Sequence, residues 1–379
     1  MRKTLAAEAW LIDGARSAGT PEAVLQQLAE KLLADGLPLA RAAVYVHTLH
    51  PNVFGRSFTW RLGAPVEVAA VPIGFDKTDV FLASPVARVY ATGRGVRRRI
   101  GEPDSERDFP VLTELAAEGI TDVLVLPLFF SDGQLHAVSW ATRAPGGFRD
   151  ADVEDLEAVT RPLARVAEVW SLRRIAANLL DTYVGPATGA RILAGNIRRG
   201  DSESIEAVLW FSDLRGFTPM AEHDSPAQLM QVLNRFFDAH VPVIAEAGGE
   251  TLKFMGDGLL AIFRADTADG VAGACRRAIA AAGKARAALA STAPELGYGL
   301  ALHLGEVLYG NIGSGDRLDF TCIGPAVNLA ARLEKLTARL GRPVLTTAAV
   351  ARHIDAPLEA LGSYELRGIG APVEVFALP

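Results

Sequence analysis

One predicted helix limits what this chain can fold into. In Phe148–Tyr183 the apolar residues Val153, Leu156, Val159, Leu163, Val166 and Val169 recur at helical spacing. A helix this long reaches out of a single domain, so its simplest use is as a connector. Its apolar spacing is too uneven to specify a heptad seam. The chain has 379 residues, enough for two or three domains at roughly 150 residues each. The expected division is residues 1–170, a helical connector over 171–203, and residues 204–379. The stretch "GPATGARILAGNIRRG" (Gly185–Gly200), with four glycines and a proline, marks the second boundary.

The chain reads as α/β (α+β) on both sides of that boundary. In the first part, Val24, Leu25, Leu28 and Leu32 stripe a helix between Pro21 and Gly36. Ala42–His50 alternates as a strand, and Thr121–Thr142 reads as two strands around the turn "SDG". In the second part a strand, "SIEAVLWFSDL", precedes a helix capped by Ser225 and Pro226. The hairpin "TLKFMGDGLLAIF" follows, then an alanine-rich helix over roughly 267–291. "GYGLALHLG", "EVLYGNI" and "RLDFTCI" read as three strands, "PAVNLAARLEKLTARLG" as a helix, and the end as strand-rich. The order β-α-β-β-α-β with appended elements is a ferredoxin-like plan.

Chemistry concentrates in this second part. Asp213 stands just past a buried strand, before a turn containing Gly216. A carboxylate there holds a divalent metal, with the following backbone N–H groups free for phosphate oxygens, or it caps the next helical turn. Asp257 lies between Gly256 and Gly258 at a hairpin tip, where an acid also suits an ordinary tight turn. The ferredoxin-like plan puts that tip and the end of the first strand on one sheet edge. Two carboxylates so placed repel unless a cation lies between them. Asn328 and Arg332 are i, i+4 on a helix whose other face carries Leu329, Leu333, Leu336 and Leu340. An amide and a guanidinium aimed at one point suit a ribose or a phosphoryl group, although an arginine there could equally pair with Glu334.

Residues 204–379 resemble the catalytic domain of the class III nucleotidyl cyclases. The resemblance is carried by "FSDLRGFT", "LKFMGDGLLAIF", "ALHLGEVLYGNIG", "DFTCIGPAVNLAARLE" and "LRGIGAPVEVFAL", in family order. It implies that Asp213 and Asp257, with Leu214, hold two Mg²⁺ or Mn²⁺ ions. It implies that Lys253 and Thr321 read the purine, that Phe217 and Thr218 meet the substrate, and that Asn328 and Arg332 orient the ribose and stabilise the transition state. Arg367 falls where the family has a basic residue, usually lysine, for the triphosphate; arginine keeps the charge and changes the geometry. Thr321 replaces the aspartate of many relatives and resembles a threonine-bearing subgroup, often bacterial.

Lys253 only donates, which suits adenine N1, and a threonine hydroxyl can accept from the 6-amino group. Guanine needs an acceptor instead, so the resemblance implies ATP as substrate and cyclic AMP with pyrophosphate as products. In this family each site lies across a homodimer interface, with Asp213 and Asp257 from one subunit and Lys253, Thr321, Asn328, Arg332 and Arg367 from the other. The alternatives are a guanylyl cyclase, disfavoured by Lys253, and a non-catalytic nucleotide-binding regulatory module, which should have lost a metal aspartate or the arginine. A diguanylate cyclase fits less well, because "GGETLKFMGDG" misplaces the acids of its hairpin.

The first part resembles a GAF-like sensor module, through "GITDVLVLPLFFSDGQLHAVSWAT" and the closing helix from "FRDADVEDLEAV". An unknown small-molecule or protein signal is expected there. His47 and His50 near a strand end, and "RGVRRR" (Arg94–Arg99), read as ordinary loop residues sooner than as a metal site or an anion site. A net charge of −6 gives no basic field for nucleic acid, and two cysteines are too few for a disulfide framework. With no transmembrane stretch and no secretory signal, the expected compartment is the cytoplasm.

Overall fold

The computed structural model describes residues 5–101 and 109–378. The chain forms two compact units, Met1–Thr182 and Tyr183–Pro379. The first unit contains α1 (Ala6–Ile12), α2 (Pro21–Ala34), β1 (Arg41–His47), β2 (Val53–Arg61), β3 (Glu67–Pro72), α3 (Asp79–Leu82), α4 (Pro85–Thr92), β4 (Val96–Arg99), α5 (Val111–Ala117), β5 (Asp122–Phe129), β6 (Leu135–Thr142) and all but the last two residues of α6 (Asp150–Val184). Its strands form one antiparallel sheet in the order β3-β2-β1-β6-β5-β4.

Strand alternation decides which helices cover which face. Ala42, Val44, Trp60, Val138 and Trp140 pack with α1, α2 and α6. Val123, Val125, Ala137 and Ala141 pack instead with Val89 of α4 and Leu112 and Leu115 of α5. On α6 the predicted stripe is buried at Leu156, Val159, Leu163 and Val166, whereas Val169 is exposed. The start of α6 is tied to β5 through buried Asp122, which accepts from Arg97 Nη2 at 2.8 Å and the Phe148 N–H at 3.0 Å.

The second unit contains α7 (Pro186–Leu193), β7 (Ser202–Leu214), α8 (Phe217–His223), α9 (Pro226–Glu246), β8 (Glu250–Met255), β9 (Gly258–Arg264), α10 (Gly270–Thr292), β10 (Tyr298–Gly313), β11 (Leu318–Ile323), α11 (Pro325–Leu340), β12 (Val344–Thr347), α12 (Ala348–Ala351), β13 (Glu359–Tyr364) and β14 (Val373–Ala377). The strand order is β13-β14-β12-β10-β7-β9-β8, with β11 pairing β10. Within it, β7-α9-β8-β9-α10-β10 follows the β-α-β-β-α-β plan, and β7 is central between β10 and β9. Helices α9 and α10 bury Phe236, Ile244, Ala278 and Ala282 against Val208, Trp210 and Phe263. Helix α11 covers the other face, with Ala326 and Ala330 against Ala207, Leu209 and Ile262.

Two local features depart from the sequence reading. The glycine-rich stretch assigned to a connector is packed into this unit: Thr188 Oγ1 donates to Glu250 at 2.8 Å and Arg191 pairs with Glu203 at 2.8 Å. "GYGLALHLG" and "EVLYGNI" are one strand of 16 residues, not two. Gly305 at their junction is a packing requirement and not a turn: a Cβ there would lie 2.7 Å from the Ala326 Cβ. Among the described residues, no helix is long and apolar enough to cross a membrane.

Candidate active site

The site grows from the end of β7. Asp213 is paired across the sheet with Gly258 on one side and Gly299 on the other. The Leu214 N–H donates to the Asp257 carbonyl at 3.2 Å, which locks the hairpin tip onto the strand end. Gly256 starts the two-residue turn with φ +66°, a backbone conformation that favours glycine. Gly258 is required for another reason: a Cβ would lie 2.8 Å from the Ser212 carbonyl oxygen and 3.0 Å from Asp213 Oδ1. The two glycines therefore let the two aspartates approach.

That approach has an electrostatic signature. The Asp213 carboxyl is pushed up to about 6, first by burial and then by the charge of Asp257; the Leu214 N–H and Lys335 oppose the rise. Glu334, buried on α11, is pushed up to about 7 by burial and then by Asp213, against Arg215 and Lys335. A paired carboxylate site that resists ionising both groups is what a divalent cation relieves. Asp213 and Asp257 are thus the groups that fit a metal, with the remaining ligand positions left for backbone, water and substrate oxygens. Among the described residues, no cluster of three or more histidine, cysteine or acidic side chains offers an alternative metal site.

A cleft of ≈ 290 Å³ contains Asp213, Asp257, Asn328, Arg332, Glu334 and Lys335. Asn328 and Arg332 are exposed on α11, while Leu333 and Leu336 are buried on its other face. Leu329 and Leu340 are only half-buried. The expected alternative partner of Arg332, Glu334, points elsewhere, and among the described residues Arg332 has no ion pair. Arg215, within the "FSDLRGFT" motif, is structural: Nε donates to the Tyr298 carbonyl at 3.0 Å and Nη2 donates to Thr337 Oγ1. Phe217 and Thr218 open α8 directly after Gly216.

The remaining predicted residues lie outside this cleft. Lys253 on β8 pairs with Asp319 on β11 at 2.6 Å. Thr321, two residues further along β11, is buried and its Oγ1 has no partner. Arg367 is exposed in the loop between β13 and β14. The structure therefore groups Asp213 and Asp257 with Asn328 and Arg332, groups Lys253 with Asp319 and the neighbouring Thr321, and leaves Arg367 apart. Sequence reasoning missed Asp319 and Lys335, and took Glu334 only as a possible partner of Arg332. Asp319 was findable: residues i and i+2 share a strand face, so it accompanies Thr321. Lys335 was also findable, three residues after Arg332 on the same helical face.

The raised carboxyl of Asp213 leads to a pH prediction. Its folded value of about 6 exceeds the ordinary 3.8. Its stabilising contribution is therefore fully present below the ordinary value and is lost as pH rises through about 6. A cation bound between the aspartates reverses that loss. Mn²⁺ should raise the melting temperature more at about pH 7.5 than at about pH 5, as read by thermal denaturation. Asp257→Asn should shrink the difference. Equal Mn²⁺ shifts at both pH values would contradict this assignment.

The second unit is similar to proteins of known family. Residues 201–378 match the adenylate and guanylate cyclase catalytic domain family. An adenylate cyclase of Anabaena cylindrica is 32% identical over 185 residues, covering 48% of this chain and 36% of that protein. Adenylate cyclase 1 of Rhizobium meliloti is 30% identical over 179 residues, covering 45% of this chain and 27% of that protein. The chain thus matches about a third of the length of these relatives. The crystal structure of the adenylyl cyclase CyaB from P. aeruginosa is 23% identical, covers 47% of this chain and 96% of that chain, and superposes with a TM-score of 0.44.

Proposed function

We propose that this protein, whose residues 201–378 form an adenylate and guanylate cyclase catalytic domain, converts ATP to 3′,5′-cyclic AMP and pyrophosphate in the cytoplasm. The observation that carries the reading is the pair of carboxylates, Asp213 and Asp257, brought together at the end of β7, where the charge of Asp257 opposes the ionisation of Asp213 as in a divalent-cation site. Mg²⁺ or Mn²⁺ ions, expected as two per site, would when bound supply charge neutralisation at the phosphates and a lower pKa for the ribose 3′-OH. Asp213 and Asp257, with the Leu214 backbone, would hold them. Phe217 and Thr218 follow the metal loop and meet the phosphates. Asn328 positions the ribose for in-line attack on the α-phosphorus, and Arg332 meets the charge that develops there. Arg367 is assigned to the triphosphate.

Substrate choice rests on Lys253 and Thr321. The Lys253 ammonium donates to adenine N1, and the unpartnered Thr321 hydroxyl is free to accept from the 6-amino group. The pairing of Lys253 with Asp319 sharpens the test. In Lys253→Glu the new carboxylate meets Asp319, and like charges repel. We expect the single variant to lose ATP turnover without gaining GTP turnover. Lys253→Glu with Asp319→Asn should raise the GTP-to-ATP ratio of kcat/KM by about tenfold or more, the scale of one charge-assisted hydrogen bond. An unchanged ATP preference in Lys253→Glu would refute the role of Lys253.

The working unit is a homodimer with two equivalent sites, each taking Asp213 and Asp257 from one subunit and Lys253, Thr321, Asn328, Arg332 and Arg367 from the other. A second reading is favoured by the cleft itself. One chain already places Asn328 and Arg332 beside its own aspartates, so these two could serve the same subunit's metals. The N-terminal unit is read as a GAF-like sensor that regulates the cyclase domain. Its six-stranded antiparallel sheet, covered by helices on both faces, supports that reading.

A further inference from the structure

The first unit has a cavity whose chemistry the cyclase reaction does not use. Arg41, Tyr45 and His47 alternate along β1 and so share one sheet face. Between that face and α3, α4 and α5 lies a cavity of ≈ 290 Å³, lined by these three and by Phe81, Tyr90 and Ser139, among others. This is close to the lower end of the roughly 300–1,000 Å³ of small-molecule pockets.

Its polar groups are incomplete. Arg41 Nε and His47 Nε2 are buried and have no partner. Among the described residues, Arg41 has no ion pair. Folded proteins satisfy nearly all buried polar groups, and a cation in an apolar cavity is costly without an anion. One guanidinium matches one carboxylate in a planar, two-point contact.

The other end is aromatic and neutral. The His47 ring lies 4.5 Å from Phe54, 4.9 Å from Tyr90 and 5.2 Å from His136. The His47 backbone N–H donates to His136 Nδ1 at 3.1 Å. Burial holds the His47 imidazole below its ordinary value, against the charge of Asp76, and burial lowers His136 to about 4. His47 is therefore no second cation at neutral pH, and its free ring nitrogen meets a neutral hydroxyl or N–H.

We propose that this cavity binds a small aromatic carboxylic acid, with its carboxylate on Arg41, its ring against Phe81 and Tyr90, and a neutral polar substituent at His47. As a regulatory ligand it rests on the sensor reading of this unit; as a binding site it does not depend on the cyclase reading.

The test is titration calorimetry on the full chain with 4-hydroxyphenylacetate and its neutral isostere 4-hydroxyphenylacetamide. The acid should bind about 10- to 100-fold more tightly, the scale of a hydrogen bond to a charged group. Arg41→Gln should reduce the acid to the level of the amide, and Arg41→Lys should keep part of the preference. An acid that binds no better than the amide, an Arg41→Gln variant that still prefers the acid, or no binding of either at millimolar concentration overturns the proposal. The acid–amide comparison on the unaltered chain decides the matter even where Arg41→Gln fails to fold. Cyclic nucleotide formation, measured on the same preparation, fails or succeeds separately.

Discussion

Asp257→Ala should lower turnover about 10³-fold or more while leaving the fold intact or slightly more stable. The first half follows from the several kcal/mol that metal-held charge stabilisation contributes to a phosphoryl transition state. The second half follows from what Asp257 does without metal. Its charge helps push the neighbouring Asp213 carboxyl up to about 6, so removing it relieves a repulsion. What anchors the hairpin tip to β7 is the Asp257 backbone carbonyl, which accepts from the Leu214 N–H, and alanine keeps that bond. A loss of activity with an unchanged or raised melting temperature separates a catalytic carboxylate from a structural one. Retention of more than about a tenth of the turnover would remove Asp257 from the mechanism.

Arg332→Ala should cost about 10²–10³ in kcat, the range for removing one preorganised donor at a developing charge. It is exposed and makes no ion pair among the described residues, so its loss should not move the melting temperature. Mixing Asp257→Ala with Arg332→Ala then distinguishes the two arrangements of the site. If each site takes its aspartates from one subunit and its arginine from the other, a mixed dimer has one intact site and one doubly broken site. Activity should return towards half of the unaltered value per mixed dimer. If both groups serve the same subunit's site, as their shared cleft would also permit, every site in the mixture carries one defect and no activity returns. Heterodimer content must be measured in parallel by differential tagging.

Much of the catalytic unit was legible because its signals are local and agree with one another. Helix α9 was readable from Ser225, its N-cap, and Pro226, its first residue; Ser225 forms a capping box with Gln228. The hairpin was readable from Gly256-Asp257-Gly258, whose glycines are demanded by φ at one position and by close approach at the other. What was not legible depended on contacts distant in sequence. Gly305 resembles a break until Ala326 is seen against it. Asp319 lies 66 residues from Lys253, and only the approach of β11 to β8 makes them partners. Glu334 sits beside Arg332 in sequence, but the helix turns it inward, where burial raises its carboxyl to about 7. The cavity in the first unit left no motif, because Arg41, Tyr45 and His47 are ordinary strand residues until α3, α4 and α5 close over their face.

The most direct test of the central claim is product identity. Purified protein of residues 1–379, shown to be folded and dimeric, is incubated with Mn²⁺ and either ATP or GTP, and the products are identified by mass. Cyclic AMP from ATP, in clear excess over cyclic GMP from GTP, is the predicted result. No cyclic AMP from the folded dimer, or cyclic GMP as the main product, would contradict it.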